Sequence, residues 1–273
     1  MEKRVTGERN SRNIAKYINT LGRFCGKRDV DELTQKSLYQ KYGFHQADLM
    51  VLFGGSILCG GDVLAQAMAN QVAKKYVIVG GAGHTTETLR QNMHAAFPAM
   101  DTQGKTEAEV FSEYLKYRYH LSPDLLECRS TNCGNNIANL LELLKENQLD
   151  FQSIILAQDA TMQHRMEAVM RKYVGEEKIL INYAVYSANV VEKDGCLIYA
   201  NHIRGMWDIE RYISLLLGEI LRLTDDENGY GPKGKDFLAH VDIPADVQNA
   251  FRQLCKEYPD SVRAANPKFA SGL

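Results

Sequence analysis

The sequence predicts a doubly wound α/β protein, and two observations lead to that fold class. Residues 49–53 and 76–79 are continuous apolar runs without alternation, which is typical of strands that are buried on both faces. Each run ends in a small polar cluster, and helical patterns fill the gaps between the runs. Because strands that alternate with helices form parallel sheets with right-handed crossovers, we expect a three-layer, mainly parallel, Rossmann-like sheet.

The first predicted element is an amphipathic helix over residues 11–24. Its apolar residues recur at helical spacing, which indicates that one face lies against a larger body; they are Ile14, Tyr17, Ile18 and Leu21. The two apolar runs follow, as strands. A helix over residues 106–119 is predicted next, because Thr106 and Glu109 have the spacing of a capping box.

The second half of the chain continues the same alternation until about residue 201. Ile137, Leu140 and Leu144 mark one face of a helix, residues 153–157 form a strand followed by a helix through residue 171, and residues 178–183 are a fifth strand candidate. Beyond them, residues 207–223 are predicted as a long helix, and a glycine-rich loop precedes a mixed final segment. We therefore predict an N-terminal helical segment (1–44), a Rossmann-like core (45–204) and a smaller, mostly helical C-terminal subdomain (205–273).

Charge and composition narrow the classes of partner. Lys and Arg total 32 against 34 Asp and Glu, so the broad positive field that attracts nucleic acids or anionic membranes is missing. Residues 1–20 contain no apolar segment of signal-peptide length, and no run approaches the ~20 apolar residues that span a bilayer. We expect a cytoplasmic protein that binds a small molecule rather than nucleic acid or membrane; its oligomeric state stays open.

The six cysteines are scattered and form no CxxC pair. This spacing supports neither a zinc ribbon nor a disulfide framework, and we expect the cysteines to be small buried hydrophobic residues. No metal site is predicted.

Glycine-rich turns follow the first two strands. Glycine between a strand and a helix lets backbone N–H groups approach an anion, which the helix N-terminus also favours. The predicted ligand-binding residues of these turns are Gly54, Gly55, Ser56, Gly80, Gly81, Gly83, His84 and Thr85. The alternative is that the glycines only meet the steric needs of tight turns.

Two further polar clusters follow later strands or open helices. Ser130, Asn132 and Asn136 offer hydroxyl and amide groups suited to sugar or ribose hydroxyls, although a helix N-cap would use the same residue types. Gln158 and Asp159 end the strand at residues 153–157 and are predicted to bind ligand as well.

Three residues are candidates for catalysis. Asp159 is placed to act as a base or a ligand anchor, and Arg165 to clamp an oxyanion or phosphate. Glu107 is a second candidate acid or base, in the first turn of a helix near the same edge. The alternative assignments are a capping Asp159, a salt-bridged Arg165, and a Glu107 that is favoured only by the helix dipole.

Several common site types are disfavoured. The position after the second strand where NAD-binding folds carry an acid is Gly80, and residues 54–61 lack the Gly-Lys-Ser/Thr ending of a P-loop. Ser56 does not lie in a GxSxG turn, so a serine hydrolase is not expected.

Taken together, these motifs resemble a known family. They are Gly80-Gly81-Ala82-Gly83-His84, Thr106-Glu107-Ala108, Ser130-Thr131-Asn132-Cys133-Gly134, Gln158-Asp159-Ala160-Thr161-Met162-Gln163, and the blocks at 207–212 and 226–237. Over nearly the whole chain the sequence resembles the YdcF-like branch of the domain-of-unknown-function family that also groups SanA and ElyC proteins. The resemblance implies a Rossmann-like core and S-adenosyl-L-methionine as a ligand, but no reaction. Where that family commonly has a glutamate, this sequence has Asn135, so no acid role is transferred to that position.

Three hypotheses of function remain open from the sequence. The first is a small-ligand-binding protein, or an enzyme that depends on S-adenosylmethionine. The second is a hydrolase or transferase that acts on a phosphorylated or sugar-linked substrate with Asp159 or Glu107 as base. The third is a non-enzymatic sensor or scaffold.

Overall fold

A computed structural model describes the backbone of residues 2–83 and 85–262 and the side chains of residues 11–83 and 85–262. Five parallel strands form the central sheet in the order β3-β2-β1-β4-β5. Their bounds are β1 Ala47–Phe53, β2 Ala73–Val79, β3 Leu125–Glu127, β4 Ser153–Ala157 and β5 Ile179–Asn182. Helices cover both faces of this sheet, which confirms the predicted fold class.

The remaining elements are helices and one hairpin. The helices are α1 Glu2–Cys25, α2 Gln35–Tyr42, α3 Cys59–Ala69, α4 Thr86–Ala96, α5 Glu107–Tyr119, α6 Cys133–Glu146, α7 Gln163–Val174, α8 Ile209–Leu223 and α9 Ala245–Glu257. The antiparallel hairpin consists of β6 Val190–Lys193 and β7 Cys196–Tyr199. None of the helices in the described part of the chain combines the length and the apolar composition needed to cross a membrane.

The two faces of the sheet explain why the central strands read as continuous apolar runs. In β1, Met50 and Leu52 belong to the core on one face, whereas Leu49, Val51 and Phe53 belong to the core on the other. Successive side chains of a strand point to opposite faces, so a strand that is covered twice needs apolar residues at every position.

The predicted helices over residues 11–24, 106–119 and 207–223 are all present. Thr106 caps α5 with the capping box that its spacing predicted. The predicted helix at residue 207 begins at Ile209, because Asp208 is the N-cap and accepts a hydrogen bond from the Arg211 backbone nitrogen at 2.7 Å.

The hydrophobic core continues across both predicted domain boundaries. Ile18 of α1, Met50 of β1 and Leu216 of α8 belong to one cluster of buried residues. Helix α1 also contacts α8, α9 and β6. The division at residues 44/45 and 204/205 stays a prediction.

Candidate functional site

Glu107 lies over the turns that end β1 and β2. A methyl group built on Gly54 would fall 2.6 Å from Glu107 Oε2, and one built on Gly80 would fall 2.9 Å from Glu107 Cβ. Only glycine therefore fits at either position without movement of Glu107. The first turn of α5 and the carboxyl ends of β1 and β2 are in direct contact.

The Glu107 carboxyl group is buried, with 7% of the residue exposed. Its Oε1 accepts hydrogen bonds from Thr85 Oγ1 at 2.8 Å and Thr86 Oγ1 at 3.0 Å. Burial raises the pKa of Glu107, and the two threonine hydrogen bonds only partly oppose that rise. No donor from the described residues reaches Oε2, so this oxygen is the available acceptor of the group.

The turns after β2 and β3 are in contact at Gly81 and Ser130. Gly81 N donates to Ser130 Oγ at 3.1 Å, and a methyl group on Gly81 would lie 2.1 Å from the Ser130 carbonyl oxygen. Gly83 N donates to Thr86 Oγ1 at 2.7 Å. These two amides, which the sequence predicted as anion donors, are satisfied within the protein.

The turns after β1 and β4 meet at Gly55 and Gln158. A methyl group on Gly55 would lie 3.7 Å from Gln158 Oε1, and no other described residue beyond the two chain neighbours of Gly55 would lie within 4 Å of it. Gln158 is buried, and its Oε1 accepts a hydrogen bond from the Asp159 backbone nitrogen at 2.6 Å. The described residues therefore leave room for a ligand atom beside Gly55, next to the buried amide group of Gln158.

Two buried side-chain atoms in these two turns have no hydrogen-bond partner among the described residues. They are Gln158 Nε2 and Ser56 Oγ. Both residues are almost fully buried, at 1% and 2% exposed. Since the Asp159 N–H can only donate, it fixes the oxygen of the Gln158 amide and leaves the NH₂ group as the unpartnered end.

Asp159 is buried at the end of β4 and is fully engaged on one oxygen. Its Oδ1 accepts hydrogen bonds from Thr161 N at 2.8 Å, Thr161 Oγ1 at 2.7 Å and Tyr186 OH at 2.7 Å. Burial raises the pKa of Asp159 in spite of these donors, which favour the charged form. These three hydrogen bonds hold the Asp159 side chain in place. A role as the anchor of this loop therefore fits the geometry better than a role as a mobile base.

Arg165 forms a bidentate ion pair with Glu219 of α8, with Nη2 3.0 Å from Glu219 Oε1. Both side chains are largely buried. The positive charge of Arg165 is therefore compensated by Glu219. To clamp an oxyanion or phosphate, as predicted, Arg165 would have to contact the ligand and Glu219 at the same time.

The Asn-rich cluster acts locally as a helix cap. Asn132 Oδ1 accepts a hydrogen bond from Asn135 N at 3.0 Å, and Asn135 Oδ1 accepts one from Asn132 N at 2.9 Å. This is the capping alternative that the sequence left open. The Asn136 side chain is half-buried, and its backbone nitrogen donates to Asn132 O.

Of the predicted site residues, Gly54, Gly55 and Ser56 follow β1 and Gln158 and Asp159 follow β4, and these two turns meet at Gly55 and Gln158. Glu107 lies over the turns that end β1 and β2. Gly80, Gly81, Gly83, Thr85 and Ser130 form the adjoining turns of β2 and β3. His84 lies outside the described residues.

Sequence reasoning missed three residues that hold the predicted acids. Thr86 and Tyr186 donate to Glu107 and Asp159 across long sequence separations, and no local pattern indicates such contacts. Thr161 does have a local signal, because an Asp two residues before a Thr commonly accepts its backbone N–H in a turn.

No protein-family model matches the chain. Among the side chains of residues 11–83 and 85–262, no group of three or more His, Cys, Asp or Glu is placed to hold a metal ion.

Proposed function

We propose that this protein binds a small polar ligand, a nucleoside such as S-adenosylmethionine, at the carboxyl ends of β1 and β4. In the sheet order β3-β2-β1-β4-β5, the chain moves outward in one direction from β1 to β3 and in the other from β4 to β5. The point between β1 and β4 is where ligands bind in doubly wound sheets, since the loops leave in opposite directions and open a crevice.

The observation that carries the proposal is the pair of unpartnered atoms beside Gly55. Ser56 Oγ and Gln158 Nε2 are buried without a hydrogen bond from the described residues. A buried polar group without a partner costs about 1–3 kcal/mol, and most such groups in proteins are paired. A ligand at the switch point would supply both partners.

The chemistry of these atoms restricts the ligand. The Gln158 NH₂ group can only donate, so it requires an acceptor such as a carbonyl, carboxylate, hydroxyl or ring nitrogen. S-adenosylmethionine presents acceptors of these kinds. The resemblance to the YdcF-like branch favours it among nucleosides.

Calorimetric titration with S-adenosylmethionine tests this function. We expect saturable binding to the wild-type protein and about five- to tenfold weaker binding to Ser56→Ala, the effect of one lost hydrogen bond. Ser37→Ala serves as the matched control. Ser37 lies in α2, its hydroxyl is hydrogen-bonded to the Thr34 hydroxyl, and the variant is expected to bind like wild type. Absence of binding by the wild type to S-adenosylmethionine, S-adenosylhomocysteine, adenosine and AMP would reject the proposal.

One observation favours the second candidate, a hydrolase or transferase for phosphorylated or sugar-linked substrates. Glu107 has a raised pKa and an oxygen that no described donor reaches, which are properties of a general base. A panel of nucleotide, sugar-phosphate and ester substrates would show turnover by the wild type that Glu107→Gln abolishes. Turnover that Glu107→Gln retains but Asp159→Asn abolishes would assign the base to Asp159 instead.

A further inference from the structure

A cleft lies between helix α1 and the hairpin strand β6. Its volume is about 310 Å³, which is at the lower end of the range for small-molecule sites. The α1 wall includes Arg12, Lys16, Asn19 and Arg23, and the opposite wall is formed by residues 189–192. None of the lining residues belongs to the turns that follow β1 and β4. The cleft is therefore a second place where a small ligand fits, and three cationic side chains line it.

The four polar residues of the α1 wall lie on one face of the helix. Positions 12, 16, 19 and 23 are separated by four, three and four residues, the spacing at which helical side chains are neighbours. Lys16 and Arg23 are two turns apart, about 10 Å along the helix axis. Their long, flexible side chains can therefore converge on one group that lies between them.

Glu192 supplies the carboxylate of the cleft lining, and both of its oxygens are engaged. Its Oε2 accepts a hydrogen bond from Arg12 Nε at 3.1 Å, and its Oε1 accepts one from Gly195 N at 2.8 Å. The ion pair between Arg12 and Glu192 sets one positive charge against one negative charge. The charge of Arg12 is thus compensated within the cleft.

Lys16 and Arg23 are the uncompensated cations of the cleft. Both residues are exposed, and neither forms an ion pair with a carboxylate among the described side chains. Arg23 Nη2 donates to Thr20 Oγ1 at 3.4 Å, which is a neutral partner. Two positive charges therefore remain at this cleft, although the formal net charge of the whole chain is -2. Such a local excess of positive charge favours an anionic ligand.

Asn19 fixes the two walls of the cleft relative to each other. Its Nδ2 donates to Val190 O at 2.8 Å and to Asn189 Oδ1 at 3.1 Å, and its Oδ1 accepts from Val190 N at 2.8 Å. These three hydrogen bonds join α1 to the hairpin before any ligand arrives. A cleft that is already formed loses less free energy to ordering when a ligand binds.

We propose that this cleft binds a diphosphate group, free or as part of a phosphorylated small molecule, through Lys16 and Arg23. A lysine ammonium presents three donors and an arginine guanidinium five, and neither can accept, so the pair requires several acceptor oxygens. A diphosphate carries two or more negative charges and many acceptor oxygens in a small volume, which matches the two uncompensated cations. Arginine binds phosphate oxygens as a bidentate fork, and lysine binds them as a point charge. This site is separate from the one proposed for S-adenosylmethionine, and neither depends on the other.

Calorimetric titration with inorganic pyrophosphate at low ionic strength tests the cleft. We expect saturable binding by the wild type and about tenfold weaker binding by Lys16→Met and by Arg23→Met, since each variant loses a charge-assisted hydrogen bond. Added salt is expected to weaken the binding, because exposed charges are screened. Lys36→Met in α2 is the matched control. Lys36 is also exposed and forms no ion pair with a described side chain, and the variant is expected to bind like wild type.

Two further compounds define the group that is recognised. ADP carries the diphosphate as an ester, and binding of ADP that Lys16→Met and Arg23→Met weaken but Ser56→Ala does not would show that the cleft accepts a phosphorylated small molecule. Binding of pyrophosphate alone at the cleft would show that it accepts the free diphosphate. Malonate, a dicarboxylate with two negative charges, is expected to bind at least about tenfold more weakly than pyrophosphate, because it offers fewer acceptor oxygens.

Three results would overturn the proposal. The first is no binding of pyrophosphate by the wild type. The second is binding that Lys16→Met and Arg23→Met weaken no more than Lys36→Met does, since the anion would then lie elsewhere. The third is equal affinity for malonate and pyrophosphate, which would show a general response to charge. None of these results bears on the proposed function, because S-adenosylmethionine is expected to bind Lys16→Met and Arg23→Met as it binds the wild type.

Discussion

At the scale of single residues, two adjacent glycines have different roles. Gly54 is in contact with Glu107, whereas a methyl group on Gly55 would meet only the Gln158 amide among the described residues beyond its chain neighbours. Gly54→Ala is expected to lower the free energy of unfolding by about 1–3 kcal/mol, because the new methyl group overlaps Glu107. Gly55→Ala is expected to change that free energy by less than about 0.5 kcal/mol while weakening ligand binding.

Urea unfolding and calorimetry on both variants check this pair. Equal destabilisation by the two substitutions would show that Gly55 serves the turn rather than the ligand. Unchanged affinity in Gly55→Ala would place the ligand elsewhere.

The burial of Glu107 determines in which direction the stability of the protein changes with pH. Its pKa in the folded protein is raised above the unfolded value of 4.5, so the folded state binds the proton more tightly. Stability from this group is therefore fully present below pH 4.5 and is lost as pH rises through the raised folded pKa. Glu107→Gln cannot titrate, and its Oε1 still accepts from Thr85 and Thr86.

We accordingly expect the stability of Glu107→Gln relative to wild type to increase between pH 4 and pH 7, measured by urea unfolding at several pH values. A constant difference across that range would mean that Glu107 titrates normally in the folded protein.

At the scale of elements, the Arg165–Glu219 ion pair joins α7 to α8. Both side chains are largely buried, and the Arg222 guanidinium lies 3.5 Å from the same carboxylate. Removing one partner of a buried pair leaves an uncompensated charge, so Glu219→Gln is expected to cost about 3–5 kcal/mol of stability. The double variant Arg165→Met/Glu219→Leu, which removes both charges, should regain most of that loss.

The exposed pair of Arg129 and Glu142, at 2.7 Å, is the control for this measurement. Arg129→Met is expected to cost less than about 1 kcal/mol. If Glu219→Gln costs no more than Arg129→Met in urea unfolding, the α7–α8 pair is solvated and Arg165 is available to a ligand after all.

The elements differ in how far the sequence revealed them. Strands β1 and β4 and helix α5 were predictable because double burial and a capping box leave local patterns. Strand β3 has only the three residues Leu125–Glu127, too few for a pattern to form. The hairpin was missed although Asp194 and Gly195, both with positive φ, are a common hairpin turn.

The candidate site shows the same division. The positions of Glu107 at a helix start and of Gln158 and Asp159 after a strand were predictable, because these elements leave local patterns in the sequence. Their roles stay predictions. Their partners Thr86 and Tyr186 were not predictable, and neither was the ion pair that engages Arg165. Those contacts depend on how α4, α8 and the segment after β5 fold back on the sheet, which no short spacing encodes.

At the scale of the whole molecule, the shared core predicts one cooperative unfolding transition. Trp207 is the only tryptophan and lies in the predicted C-terminal subdomain, so its fluorescence follows that part of the chain. Because α8 and β1 contribute to one cluster of buried residues, fluorescence and far-ultraviolet circular dichroism should give coincident urea transitions. A fluorescence transition at lower urea concentration would show that residues 205–273 unfold independently.

The decisive measurement is a crystal structure of the protein crystallised with S-adenosylmethionine. We expect the ligand at the carboxyl ends of β1 and β4, with acceptor atoms within hydrogen-bond distance of Ser56 Oγ and Gln158 Nε2. Ligand bound elsewhere, or protein groups that hydrogen-bond to both of these atoms while the crevice stays closed, would show that this is not the binding site.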